Sequence, residues 1–465
     1  MTEKNRVKFG FAQTVITPMP QTVFLDGFGE RITPAEGVRD DLYVKIFVIR
    51  SAAFRFALAV FDACGFEERI AVGIRRRIAV KNALPLHCVS VLATHTHSAP
   101  ASGVLGDIPV NYFWWDQAGE AAALAAQEAF RQAAPCRAAF LRAGELSSVK
   151  NRRGGKLCDK RVKICAFYNE RNALTGVLVL ASCHATCYSG MKISADYPAV
   201  LTRKMQEIYP NVPVLFLQGR GADANPCLPD SLGDDGRLER LGAELAERVI
   251  TALENPHDGI VRTICSPSAG TREIQVPMQP YADAQTLRDM IAFFERQRDA
   301  AADIFGSRRI VREIYWHQKA LRQAVSQKNT ENHLSVELQV LKLSEEAVFL
   351  LLPFEVFNET GAFLEKYCVA HGYDPLAVFI AGHANGTNGY LVPGSEFLSG
   401  DYERHDMQYW YQKTLLAAAT GADELTFGHY EPINAPHWYD LPQCCRKSEE
   451  TVINELIKIL SQRSR

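Results

Sequence analysis

No run of the roughly 18 apolar residues needed for a membrane helix occurs in this 465-residue chain, which excludes a membrane span. A charge excess is also lacking. Lys and Arg number 51 against 53 Asp and Glu, a net charge of −2, which removes the electrostatic case for nucleic acid or an anionic membrane as partner. The opening MTEKNRVKFGFAQ has no apolar signal-peptide core. The twelve cysteines are scattered, and the adjacent pair Cys444-Cys445 lacks metal-ligand spacing. They read as reduced thiols in a cytoplasmic protein. Internal repeats, low-complexity tracts and clear linkers are absent too, so residues 1–465 are expected to form a single domain.

What is present suits a soluble globular chain, with 47% hydrophobic and 22% charged residues. Short apolar runs rich in β-branched and aromatic residues predict strands at 43–49, 56–61, 89–94, 162–167, 176–181 and 214–217. Periodicity near 3.6 predicts helices at 67–81, 115–134, 197–208 and 237–254. Later, 334–343 alternates and 347–353 is almost continuously apolar. The interleaving of strands and helices implies an α/β or mixed layered fold. Residues 282–327 are long, charged and helical in composition, which predicts a helical excursion from the body. Those helices would cap a pocket or form a contact between subunits of a homo-oligomer.

The stretch SVLATHTHSAPASG, 90–103, ends an apolar run in two histidines one residue apart. In an extended strand residues i and i+2 share a face, so His95 and His97 would point the same way, toward one metal or one substrate. Such a pair is a zinc signal only if other ligands come from elsewhere. The run does not continue as in metallo-β-lactamases, because Ala99 and Pro100 stand where that signature needs aspartate and histidine. Four further clusters follow apolar runs: ASCHATCYSG with His184, FLQGRGADANP with Gln218, Asp223 and Asn225, LLPFEVFNETG with Glu355, and AGHANGTNGYLVP with Tyr390. Singly, each has an ordinary structural explanation.

Together, THTHSAP, the pair Asn151-Arg152, CHAT, QGxxxDxNP, LPFE and ANGTNGY resemble the successive signatures of neutral/alkaline non-lysosomal ceramidases. The resemblance runs in order over roughly residues 8 to 430, and GFAQTVITP, GFGER, DDLYVK and VFDACG also fit it. It implies an αββα body, with two β-sheets packed between helices, and one catalytic Zn2+ held by His95, His184, Glu355 and Tyr390. It further implies that His97 and Arg152 line the pocket and hydrogen-bond the tetrahedral intermediate, with Tyr409, seven residues after Tyr402, as another donor. A protonated His97 would also pass a proton to the leaving amine.

Three departures from the family pattern shape the expected activity. Asn225 occupies the position of the serine proposed as nucleophile in ceramidases, and a carboxamide cannot attack. Water activated by the metal is the nucleophile expected instead, with Asn225 donating a hydrogen bond to substrate and Asp223 orienting a ligand or structuring its loop. The family's PGE has become Pro353-Phe354-Glu355, which places a bulky ring beside a ligand. The chain is also expected to lack the family's C-terminal β-sandwich and its leader. The expected function is therefore zinc-dependent hydrolysis of an amide in a soluble small-molecule N-acyl substrate, ceramidase-like without being a ceramidase. A zinc esterase and a non-catalytic, metal-bound ligand-binding protein are the alternatives.

Overall fold

The structure is a computed structural model. It describes residues 6–461 except 29–30, 32, 105–107, 257–258, 263, 265, 279–280, 301–303, 327–331 and 396–444. Mixed α/β architecture is observed, with several sheets and eight α-helices among the described residues.

The largest sheet has nine strands. Its path runs Val214–Gln218, Leu174–Ala181, Arg161–Asn169, Ala134–Glu145, Lys8–Val15, Tyr43–Arg50, Arg55–Phe61 and Val89–Ala93, while Ile260–Arg262 pairs with Ala134–Glu145. Val214–Gln218 pairs parallel with Leu174–Ala181, and Arg55–Phe61 pairs parallel with Val89–Ala93. A second sheet orders Ser268–Met278, Asn332–Lys342, Val348–Leu351 and Val378–Ala381, the last two parallel. Strands with both faces covered need apolar residues at successive positions, which explains near-continuous runs such as VFLL and VFIA.

Alternate side chains of the first sheet divide between two apolar environments. Phe9, Phe47, Phe56 and Phe167 join Phe349 and Phe379 of the second sheet in one buried cluster. Ile46, Val48, Ala57 and Ala59 instead pack beneath the helices Glu68–Asn82 and Tyr112–Gln132. Ile164 and Val179 pack beneath Tyr197–Ile208 and Gly233–Glu254. The outward residues of the second sheet, such as Val348 and Leu350, cluster with Leu364 of Asn358–Ala370 and Leu456 of Arg446–Ser461. The alanine-rich helix Tyr112–Gln132 approaches the sheet closely. A Cβ at Gly10 would stand 1.9 Å from the Ala129 carbonyl oxygen, so glycine is required there.

The segment expected to be helical holds the helices Ala284–Ala300 and Ile304–Ser326, with a small cluster of their own around Leu287, Met290, Trp316 and Ala320. Several strands lie outside the sequence expectations. Lys8–Val15, Ala134–Glu145 and Ser268–Met278 contain glycine, alanine, arginine or lysine where strong strand formers were sought. Pairing supplies what propensity lacks: Ala134–Glu145 bonds to strands on both sides. The helix expected over 115–134 begins earlier, at Tyr112, because Asn111 Oδ1 caps it by accepting from Trp114 N–H.

Candidate metal centre

Five strands deliver the site. His95 follows Val89–Ala93, His184 follows Leu174–Ala181, and residues 219–225 follow Val214–Gln218. Glu355 follows Val348–Leu351, and His383 follows Val378–Ala381. Three parallel pairings place strand ends of like direction side by side, which gathers the loops leaving them. An antiparallel bridge between Leu92 and Ala384 joins the two sheets at this end.

His95, His184 and Glu355 are 1%, 2% and 1% exposed. Their potential ligand atoms all lie within 4.8 Å of one another. Glu355 Oε2 is 3.1 Å from His184 Nε2 and 3.5 Å from His95 Nε2. Zinc bonds of about 2.0–2.2 Å in tetrahedral geometry put neighbouring donors roughly 3.3 Å apart, so these spacings suit one ion. Each imidazole is turned by its outer nitrogen. His95 Nδ1 lies 2.7 Å from the Cys64 carbonyl oxygen, and His184 Nδ1 lies 2.7 Å from that of Gly221. A carbonyl only accepts, so both Nδ1 atoms carry the proton and both Nε2 lone pairs face inward, as metal-binding histidines are ordinarily held. His184 Nε2 is buried and makes no hydrogen bond. Such an atom needs a partner, and the donor set fits a divalent cation.

The acid–base balance agrees. His184 is lowered, first by burial and then by the nearby Arg152 guanidinium, so its ring is neutral at neutral pH. Neutral imidazoles and an ionised carboxylate are the forms that bind metal.

The histidine pair converges by a different route from the extended strand expected. The strand ends at Ala93, and His95 takes φ 64°, in the left-handed region. His97 Nε2 still lies 3.2 Å from His95 Nε2. His97 N–H donates to the Ala185 carbonyl, which binds this turn to the one carrying His184. Behind His97, Gly27 has φ 91°, and a Cβ there would fall 2.4 Å from that of His97. Buried Arg31 donates to the carbonyls of His97 and Asp26 and to Ser98 Oγ. Burial keeps the His97 ring well below its ordinary pKa. The ring is therefore neutral at neutral pH, unlike the protonated acid expected for it. His97 falls in a group with His95 and Cys64, not with His184 and Glu355.

Tyr390 is paired in parallel with Glu355, and its hydroxyl accepts from Arg152 Nη2 at 3.3 Å. Arg152 is itself fixed through Asp223, whose carbonyl accepts from Arg152 N–H at 2.8 Å. The Asp223 carboxylate accepts from Asn151 Nδ2 at 2.7 Å, from Asn358 N–H at 2.9 Å and from Asn358 Nδ2 at 2.7 Å. It thus ties the arginine loop to the start of helix Asn358–Ala370. Asn225 lies in the short strand Ala224–Pro226 opposite Lys150, and its Oδ1 is buried without a hydrogen-bond partner. Phe354 is fully buried beneath Glu355 in the core of the second sheet. Tyr409 falls outside the described residues.

One residue of the site was missed. His383, 2% exposed, stacks on His95 with ring centroids 4.0 Å apart. The signal was its place in AGHANGTNGY, just beyond the apolar run VFIA, as with the other three histidines.

No protein-family model matches the chain, and no curated protein matches it. Solved structures do. The neutral ceramidase from Pseudomonas aeruginosa aligns with TM-score 0.67 at 14% identity, over 93% of this chain and 77% of that one. A ceramidase complexed with C2 aligns with TM-score 0.66 at 13% identity, over 93% and 78% of the two chains. At such identities the likeness establishes a shared fold: this chain has the architecture of those ceramidases.

Proposed function

We propose that the protein is a metal-dependent hydrolase that cleaves the amide bond of a small N-acyl substrate, with zinc as its ion. The observation that carries this reading is the convergence of His95, His184 and Glu355, each nearly buried, with both outer imidazole nitrogens tied to carbonyls. The likeness in fold to ceramidases supports it. His95, His184, Glu355 and Tyr390 would hold the ion, and bound zinc supplies Lewis-acid polarisation and activates water at neutral pH.

The remaining residues bind and orient. His97, neutral and beside His95, offers one N–H to the developing oxyanion, and Arg152 offers a fixed positive charge near His184. We assign Tyr409 as a further donor to the same oxygen. Asn225 cannot act as a nucleophile; its unpaired Oδ1 suits an N–H of the substrate. Asp223 acts as a positioning residue for Arg152, since its carboxylate is already engaged by Asn151 and Asn358. The shared cluster of the two sheets, with helices packed outside each, supports an αββα layering. We read the chain as one catalytic domain with 282–327 as a helical insertion. No described helix is long and apolar enough to cross a membrane, and the ten described cysteines are free thiols. The thiols support a reducing compartment such as the cytoplasm.

Metal analysis followed by turnover of N-acyl compounds, with and without chelator, tests the proposal. One equivalent of zinc and chelator-sensitive amide cleavage are expected. Cleavage of esters but not amides would replace the reading with an esterase. Bound zinc with no turnover of any acyl compound would favour a binding protein, the reading that Asn225 in the serine position supports.

A further inference from the structure

His383 has no role in the reaction proposed above and joins neither group of ligating side chains. Its ring nevertheless lies flat on that of His95, with planes 23° apart and centroids 4.0 Å apart. By contrast, His97 and His184 meet His95 edge-on, at 89° and 69°. The contact matters because the contacts of the His95 ring nitrogens, Nδ1 to the Cys64 carbonyl and Nε2 to His97 Nε2, act at the edge of the ring and leave its tilt to be set by what packs on its faces. A ligand's lone pair lies in the ring plane, so tilt moves it off the ion. A flat neighbour on one face removes that freedom.

The backbone of His383 performs a second task. Ala93 N–H, two residues before His95, donates to the His383 carbonyl at 3.2 Å. His383 N–H donates to the Phe354 carbonyl at 3.1 Å, one residue before Glu355. The backbone of one residue thus bridges the turns that carry two ligands from different sheets. The bridge requires φ 55° at His383, a conformation uncommon for a residue other than glycine or asparagine. The buried Nδ1 has no hydrogen-bond partner, so its ring is not held there by that nitrogen's polar chemistry.

We infer that His383 is a positioning residue for the metal centre, its ring setting the plane of His95 and its backbone tying the His95 turn to the Glu355 turn. This rests on the metal reading given above.

His383→Asn tests it, because asparagine tolerates the left-handed backbone but has no ring. His383→Phe restores a flat ring without nitrogens. The measurements are zinc affinity by chelator competition, the visible absorption of the cobalt-loaded protein, and melting of the metal-free protein. His383→Asn is expected to weaken zinc binding by about 10- to 100-fold, with a shifted cobalt band, and His383→Phe to return within about threefold of wild type. Melting of metal-free His383→Asn should change little. Wild-type affinity and cobalt spectrum in His383→Asn would overturn the inference. So would a metal-free His383→Asn that no longer folds, since the role would then be structural alone, or a folded His383→Phe that recovers nothing. If His383→Phe does not fold, His383→Asn decides alone. A wild-type protein that binds neither zinc nor cobalt would instead end the metal reading.

Discussion

Two clusters of charged and titratable groups, one partly and one fully buried, flank the loop that follows Val214–Gln218, and they differ in how their acceptors are met. In the first, Asp159 and Glu365 are surrounded by Arg161, Lys163 and Arg220. Asp159 accepts from Arg161 Nε at 2.7 Å and Arg220 Nε at 2.6 Å, and Glu365 accepts from Arg161 Nη2 at 2.6 Å, from Arg220 Nη2 at 3.1 Å and from Lys163. Burial raises both carboxyls, but these cations outweigh it and hold them below their ordinary values. In the second cluster one carboxylate, Glu355, meets inward-facing imidazole nitrogens, and His184 Nε2 has no hydrogen-bond partner. A cluster whose carboxylates are met by cationic donors is scaffold. A cluster of acceptors aimed at one another needs a cation to complete it.

The sharpest way to break this comparison is to remove a ligand. His95→Ala and His184→Ala should each lose most bound zinc and lower kcat/KM by about three orders of magnitude or more, whereas His97→Ala should keep the metal and lose about 10²- to 10³-fold in kcat. Metal content beside steady-state rates checks this, and release of zinc by His97→Ala would refute the division of roles. On the scaffold side, Arg220→Met leaves Asp159 and Glu365 with one cation fewer, though Arg161 and Lys163 remain, and should cost about 1–3 kcal/mol in urea unfolding. Zinc affinity of the folded fraction should change little.

Asp196 sharpens the contrast as a buried carboxylate without a cation. It accepts from the N–H groups of Tyr197 and Tyr188, at 2.7 and 2.9 Å, with the Cys187 thiol as a further donor, and burial pushes its pKa to about 6. The folded state therefore holds the proton more tightly than the unfolded chain. The associated stability is full below about pH 4 and is lost as pH rises through about 6, on the order of 3 kcal/mol in all. Urea titrations from pH 4 to 7 should show this decline in the wild type and a flatter curve in Asp196→Asn. Asn225→Ala gives the smallest effect, roughly a tenfold fall in kcat with metal content unchanged. Unchanged rates there would remove Asn225 from the mechanism.

Much of this was legible in one dimension. The runs ending before His95, His184 and Glu355 are apolar enough to mark buried strands, and residues at such ends are candidates for chemistry. Strands such as Ala134–Glu145 were not legible, because alanine and arginine carry little strand preference and their extended state comes from neighbours on both sides. His383 was hidden for a related reason. Its stacking partner is 288 positions away by number, and periodicity says nothing about which loops will touch.

The sequence by itself determined the strand-and-helix alternation, the near-neutral surface and the residue types able to bind a metal, because composition and period act locally. Only the tertiary structure decided which nitrogen of each histidine faces inward, that His97 stands beside the ligand set, and that Asp223 braces Arg152. Those outcomes depend on carbonyls and side chains brought together by sheet pairing across hundreds of residues.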